Sequence, residues 1–205
     1  MGLFSKKETD EQIVKRLAKN AGNMFAMFKA YFNTPRGVDA PKALIFTSAL
    51  AGYACHQAVI AEGGSFVEVT TKDDNKFYFG DDVNKYLLEG SLNVVGFCTA
   101  VTGVSLETIK KIVSDFAESV GDENYTICGY NPKSLYEQVE SCWDGIYENM
   151  TSQYCKSPSE WPVLIAIVVQ NILVMSLNAG APKDEAGEIA IKCAVAVSKM
   201  GRDSF

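Results

Sequence analysis

The sequence predicts a mainly α-helical fold, a single-domain bundle of about seven helices with one β-hairpin at about 66–80. Three observations predict it. Through most of the chain, apolar residues recur at spacings of three, four and seven, the period of a one-sided helix. Three stretches, 43–61, 91–102 and 161–179, carry no formally charged side chain, as expected of helices enclosed by other helices. Only the segment around 66–80 alternates at period two, with a polar loop at its middle.

The elements follow in order. Thr9-Asp10-Glu11-Gln12 is a capping box, so a helix starts there and runs to about Phe32. Ile13, Leu17, Met24, Phe25, Phe28 and Phe32 form its buried face, and Lys15, Arg16, Lys19 and Lys29 a solvated stripe. Asn33-Thr34-Pro35-Arg36-Gly37 supplies the turn. Asp39 caps the central helix, Pro41 sits in its first turn, and Gly63-Gly64 ends it. Its small residues, among them Ala51, Gly52 and Ala54, allow close approach by neighbours.

Phe66–Thr71 and Lys76–Gly80 are the two strands, joined by Lys72-Asp73-Asp74-Asn75. A lone hairpin is not stable, so its aromatic face must rest on the helices. The acidic loop does not fit an EF-hand, because Phe77 and Phe79 fall where calcium ligands belong. A short helix spans Asp81 or Asp82 to Glu89, and Ser91–Thr102 forms the second enclosed helix, stopped by Gly103. Ser105 caps an amphipathic helix to about Val120, with Leu106, Ile109, Ile112, Val113 and Phe116 inward. A loop at 121–130 precedes Asn131-Pro132, which starts a helix reaching about Met150. Ser159 is the cap for the third enclosed helix, Trp161–Ala179, whose β-branched run depends on burial for its stability. Lys183–Met200 is the last helix. Residues 1–8 and 201–205 read as frayed tails.

Composition bounds the function. The chain of 205 residues is 47% hydrophobic and 21% charged, enough for a sizeable core and unlike a disordered protein. Its net charge of −6 argues against nucleic acid or an anionic membrane surface as partner, since both call for a basic footprint. The opening residues lack the apolar core of a signal peptide. They also miss a myristoylation signal, with Lys6 where a hydroxyl is required. Six cysteines without a C-x-x-C pair read as reduced thiols in a cytoplasmic protein. With a single histidine, no Cys/His metal site and no cofactor are expected. Walker, dinucleotide, G-x-S-x-G and H-E-x-x-H motifs are absent, so no catalytic residue is assigned.

The candidate ligand-binding residues are His56, Tyr53, Gln170 and Asn171. His56 is the only histidine, and Tyr53 is its only polar neighbour at three or four residues along the helix. Cys55 is turned about 100° away, so the two do not form a local dyad. Gln170 and Asn171 interrupt an otherwise apolar helix, and burying an amide without partners costs roughly 1–3 kcal/mol. They either hydrogen-bond another helix or line a pocket with His56. Ser157–Trp161 with Tyr154 is a candidate exposed aromatic patch at a helix start of a kind that favours anions, and a cap with a core tryptophan is the favoured reading.

The first functional expectation is a docking module for a protein partner or a second copy of the chain, because no catalytic constellation is visible and the chain is rich in apolar and aromatic residues. The second is a small-molecule-binding protein or enzyme with a pocket between buried helices near His56. The third is a membrane-embedded protein. His56 and Gln57 within the first apolar run, charges close to both its ends, and no aromatic belt count against that third reading.

Overall fold

The computed structural model describes residues 8–122 and 124–204. The fold is mainly helical with two small antiparallel sheets. In chain order it comprises α1 (Asp10–Tyr31), β1 (Asn33–Thr34), β2 (Gly37–Val38), α2 (Ala40–Ala61), β3 (Val67–Thr70), β4 (Lys76–Phe79), the single turn α3 (Asp81–Asn84), α4 (Val94–Thr102), α5 (Leu106–Ser119), α6 (Pro132–Asn149), α7 (Glu160–Asn178) and α8 (Lys183–Ser198). One π-helical turn follows α3 and another follows α6, at Lys85–Glu89 and Met150–Tyr154.

α2 is the axis. Every residue from Ala43 to His56 is buried, and α6, α7 and α8 all pack on it. Its caps form as the sequence requires: Asp39 accepts from the Lys42 N–H at 3.2 Å, and Gly63 takes the left-handed conformation just past the end. Close packing has a specific cause at Gly52. A Cβ there would lie 2.2 Å from the Ala194 carbonyl oxygen, so the α2 and α8 backbones touch where only glycine fits. α1 lies on α7, α4 on α7 and α8, and α5 on α8.

β3 and β4 pair antiparallel in the expected place, with Val67 opposite Phe79 and Thr70 opposite Lys76. The turn at 33–37 carries a second, unexpected ladder, Asn33 opposite Val38 and Thr34 opposite Gly37. Gly37, at φ 103°, makes the reversal tight enough for it.

Several expectations need correction. The stretch 91–102 becomes helical only at Val94, because Asn93 caps it, accepting from the Gly96 N–H at 2.6 Å. The resulting α4 is not enclosed: Val94, Val95, Cys98 and Thr102 are buried, but Ala100 is exposed and Phe97, Thr99 and Val101 half-buried. The third enclosed helix is α8, buried at every residue from Ala190 to Ser198 except Lys192. Its alanines, cysteine and valines fit against α2, and the lysines around them disguise it. Leu106, expected to face inward, is 66% exposed, because the first turn of α5 projects beyond the core.

Arg16, placed in the solvated stripe of α1, instead reaches the start of α7. Its Nη2 lies 2.5 Å from Glu160 and 2.9 Å from Glu8. The anion at that helix start is therefore the chain's own Glu160, which also accepts from the Lys156 N–H at 2.7 Å. The expected tail at 201–205 is tied down over 201–204: the Tyr78 N–H donates to the Lys199 carbonyl at 2.8 Å and the Lys76 N–H to that of Asp203 at 2.7 Å. The chain's end thus folds as a turn against β4, with Met200 bridged to Phe77. The expected fraying at 1–7 and at Phe205 lies outside the described residues.

Among the described residues two helices, α2 and α7, are long and apolar enough to cross a membrane. Within the fold 89% and 72% of their apolar windows are already covered by protein.

Candidate functional site

Helical periodicity builds a cleft between α2 and α6. On α2, Tyr53, His56, Gln57 and Ile60 fall at spacings of three, four and seven and so share one face. On α6, Tyr136, Glu140, Trp143, Asp144 and Tyr147 do the same. These two stripes face each other across an open cleft of about 720 Å³. Trp161, from the start of α7, closes one end. Phe66, Tyr78 and the segment Gly201-Arg202-Asp203 close the other.

Rings brace one another around this space. His56 stacks on Phe66 with centroids 4.6 Å apart and meets Tyr78 edge-on at 5.3 Å. Tyr53 touches Trp143 at 5.1 Å and Tyr136 at 5.5 Å, and Tyr147 meets Trp161 edge-on at 5.3 Å. Seven aromatic rings besides the imidazole line the cleft, including both tryptophans of the chain. Such pairs are worth about 0.5–1.5 kcal/mol each beyond their buried area, so the walls are held apart as well as together.

Several of the polar groups have partners. The Tyr78 hydroxyl donates to both Asp203 carboxylate oxygens at 2.6 Å. Glu140 accepts from Arg202 Nε at 2.7 Å and from the Tyr136 hydroxyl at 3.3 Å. Asp144 and the Gln57 amide make no hydrogen bond or ion pair among the described residues. Three carboxylates therefore face one guanidinium, which is already held by Glu140.

His56 is 5% exposed, and its Nδ1 lies 3.2 Å from the Ser198 carbonyl oxygen. A nitrogen facing a carbonyl must carry the proton, so Nδ1–H donates and Nε2 keeps the lone pair. Burial holds the imidazole below its ordinary pKa, against the opposing pull of the Ser198 carbonyl. It is thus neutral at pH 7. Burial also raises the Tyr53, Tyr78 and Tyr136 hydroxyls; Asp203 adds to the effect at Tyr78, and Glu140 at Tyr53 and Tyr136. All three are neutral donors.

Of the four residues singled out in the sequence, the structure brings His56 and Tyr53 to one cleft. Gln170 and Asn171 lie elsewhere, half-buried on α7. Gln170 donates to the Phe97 carbonyl on α4 at 3.4 Å, the bridging role that a lone amide on an apolar helix calls for. The α6 wall is hidden in the sequence because Glu140 and Asp144 count as polar and seem to belong on the solvent side. The signal for it is the spacing of Tyr136, Trp143 and Tyr147, seven and then four residues.

No protein-family model, curated protein or solved structure matches this chain. What fold and site define is a class, a mainly helical protein with an aromatic, acid-rimmed cleft between two facing helices. The chemistry of that cleft is the ground for any functional reading.

Proposed function

We propose that the protein is a non-catalytic receptor for a small organic cation, an alkylated ammonium group seated among the rings of the α2–α6 cleft. One observation carries this reading: seven aromatic rings surround a space in which three carboxylates face a single guanidinium, and among the described residues Asp144 has neither a hydrogen bond nor an ion pair. Ring faces attract a desolvated cation by about 2 kcal/mol or more each at best, and Trp is the strongest of them. Asp144 supplies the counter-charge, and the Gln57 amide and His56 Nε2 are free to orient a polar group on the ligand.

Trp143 and Trp161 are the chain's only tryptophans and both line the cleft, so intrinsic fluorescence reports on it directly. Titration with choline should give a saturable change, and the neutral isostere 3,3-dimethylbutanol should bind about tenfold more weakly or worse. Asp144→Asn should weaken choline severalfold while leaving the isostere unchanged. Equal response to charged and neutral probes, or none to either, overturns the reading.

A second reading, docking to a protein partner or a second copy of the chain, draws on β3. All four of its residues are exposed, Val67 and Val69 among them. Sedimentation across micromolar concentrations tests it: a monomer throughout removes self-association. Cytoplasmic residence without membrane attachment belongs with both readings, and recovery without detergent tests it.

A further inference from the structure

Among the described residues, β3 is the open edge of its sheet. In an antiparallel ladder alternate residues turn both backbone polar groups toward the partner strand. The Thr71 N–H donates to the Asn75 carbonyl at 2.8 Å, so Thr71, Val69 and Val67 face β4. Glu68 and Thr70 therefore turn theirs outward, where no hydrogen bond meets them among the described residues. β4 obeys the same alternation on its far side. There Lys76 and Tyr78, opposite Thr70 and Glu68, donate to the Asp203 and Lys199 carbonyls. The chain's end thus covers one side of the sheet and leaves the β3 side bare.

The side chains along this edge divide by face. Val67, Val69 and Thr71 share the face on which Phe77 and Phe79 meet the Phe116 ring of α5. Val67 is 62% and Val69 40% exposed, on a kind of strand that folded proteins normally protect. A groove of about 460 Å³ lies between this edge and α5, with Val69 and Thr71 on one wall and Ala117 and Val120 on the other. Glu68, Thr70 and Lys72 take the opposite face. Glu68 pairs with Lys76 at 2.9 Å, whereas Lys72 makes no ion pair or hydrogen bond among the described residues.

We propose that the occupant of this edge is a second copy of the chain, paired β3 to β3 about a two-fold axis at Thr70. This pairing rests on the docking reading of β3 given above and fixes its register. Two-fold antiparallel pairing sets one residue opposite itself, and charge selects which one. Glu68 at the axis puts carboxylate against carboxylate. Val69 at the axis puts Lys72 against Phe66, and Thr71 at the axis puts Val69 against Asp73. With Thr70 at the axis, Glu68 of each copy faces Lys72 of the other, twice over. The two Thr70 residues then exchange their outward hydrogen bonds. Each Val69 lies opposite Thr71 of the other copy, at the groove bounded by Ala117 and Val120. The hairpins of both copies become one continuous sheet.

Sedimentation of the whole chain up to about 200 µM should show a monomer–dimer equilibrium, as the small area of such a pair implies. Glu68→Lys sets two cations face to face and Lys72→Glu two anions, so each variant alone should dimerise about tenfold more weakly. Mixed in equal amounts, the two should form a heterodimer of about wild-type affinity, because both facing pairs are then of opposite charge. Thr70→Pro removes an N–H that β3 does not use toward β4, so it should abolish the dimer with the circular dichroism spectrum unchanged. A wild type that stays monomeric overturns the pairing and self-association with it. A dimer that survives Thr70→Pro, or reversal variants that dimerise as the wild type does or gain nothing on mixing, overturns the pairing alone and moves self-association to another face. Both reversals sit on exposed residues, so they decide the matter even where Thr70→Pro does not fold.

Discussion

α2 has two faces that meet their neighbours in opposite ways. Toward α8 it presents Gly52, and the backbones close until a single added carbon would lie 2.2 Å from a carbonyl oxygen. Toward α6, starting one residue later, it presents Tyr53, His56, Gln57 and Ile60, and about 720 Å³ stays open. Both faces lie within the uncharged run 43–61 of one helix. The difference is side-chain size and bracing: small residues let backbones meet, whereas rings packed edge-on against one another hold two helices apart. A seam and a cleft are thus written on the same turns.

The strongest way to break that contrast is to put bulk into the seam. Gly52→Leu should abolish cooperative thermal unfolding or cost more than about 4 kcal/mol in urea denaturation, because the obstructing atoms are backbone and cannot turn aside. Gly145, exposed on α6 with nothing within 4 Å of where a Cβ would lie, is the control. Gly145→Ala should stabilise the protein by about 0.5–1 kcal/mol through helix propensity. Similar losses at both positions would mean that α2 and α8 are not held by backbone contact.

The next effect lies where α8 ends. Lys199 is 3% exposed, donates to Asn84 Oδ1 at 2.7 Å and stands over the Phe79 ring. Burial lowers its pKa to about 8, against the pull of Cys55 and Glu89. As pH falls from 10.5 to about 8, the unfolded chain takes a proton that the folded one refuses, so stability is lost across that window and the loss persists below it. The amount is about 3 kcal/mol. At pH 7 Lys199→Met should therefore be more stable than the wild type by about 2 kcal/mol, allowing for the lost bond to Asn84. Its advantage should shrink between pH 8 and 10.5. A constant difference would mean that the ammonium is well solvated.

These two cases show what is legible in the sequence. The central place of α2 can be read there, because a long run without charge has no face to offer solvent. α8 escapes such a reading because Lys192 and Lys199 look like a solvent stripe, yet Lys199 is buried at a cost only the fold reveals. α4 misleads the other way, since lack of charge records composition and leaves burial to the neighbours. At the site, His56 and Tyr53 stand out as polar groups on an apolar helix. Asp144 and the segment 201–203 do not, because their roles depend on contacts between residues distant in sequence.

The smallest effect belongs to the cleft face. Burial holds His56 below its ordinary pKa of 6.5, so as pH falls through 6.5 the unfolded chain protonates before the folded one and stability is lost. One proton can change stability by at most about 1.4 kcal/mol per pH unit, so the loss by pH 5 is under about 2 kcal/mol. His56→Gln should remove it, giving a flatter stability profile between pH 7 and 5 than the wild type shows. The charged groups facing this imidazole pull in both directions: Lys199 opposes its protonation and Asp203 favours it. A bound cation would join Lys199. Choline affinity in the wild type should therefore fall as pH drops toward 5, and in His56→Gln it should fall less. If both proteins lose affinity alike, the pH dependence does not come from His56, which then serves the cleft only as a ring among rings.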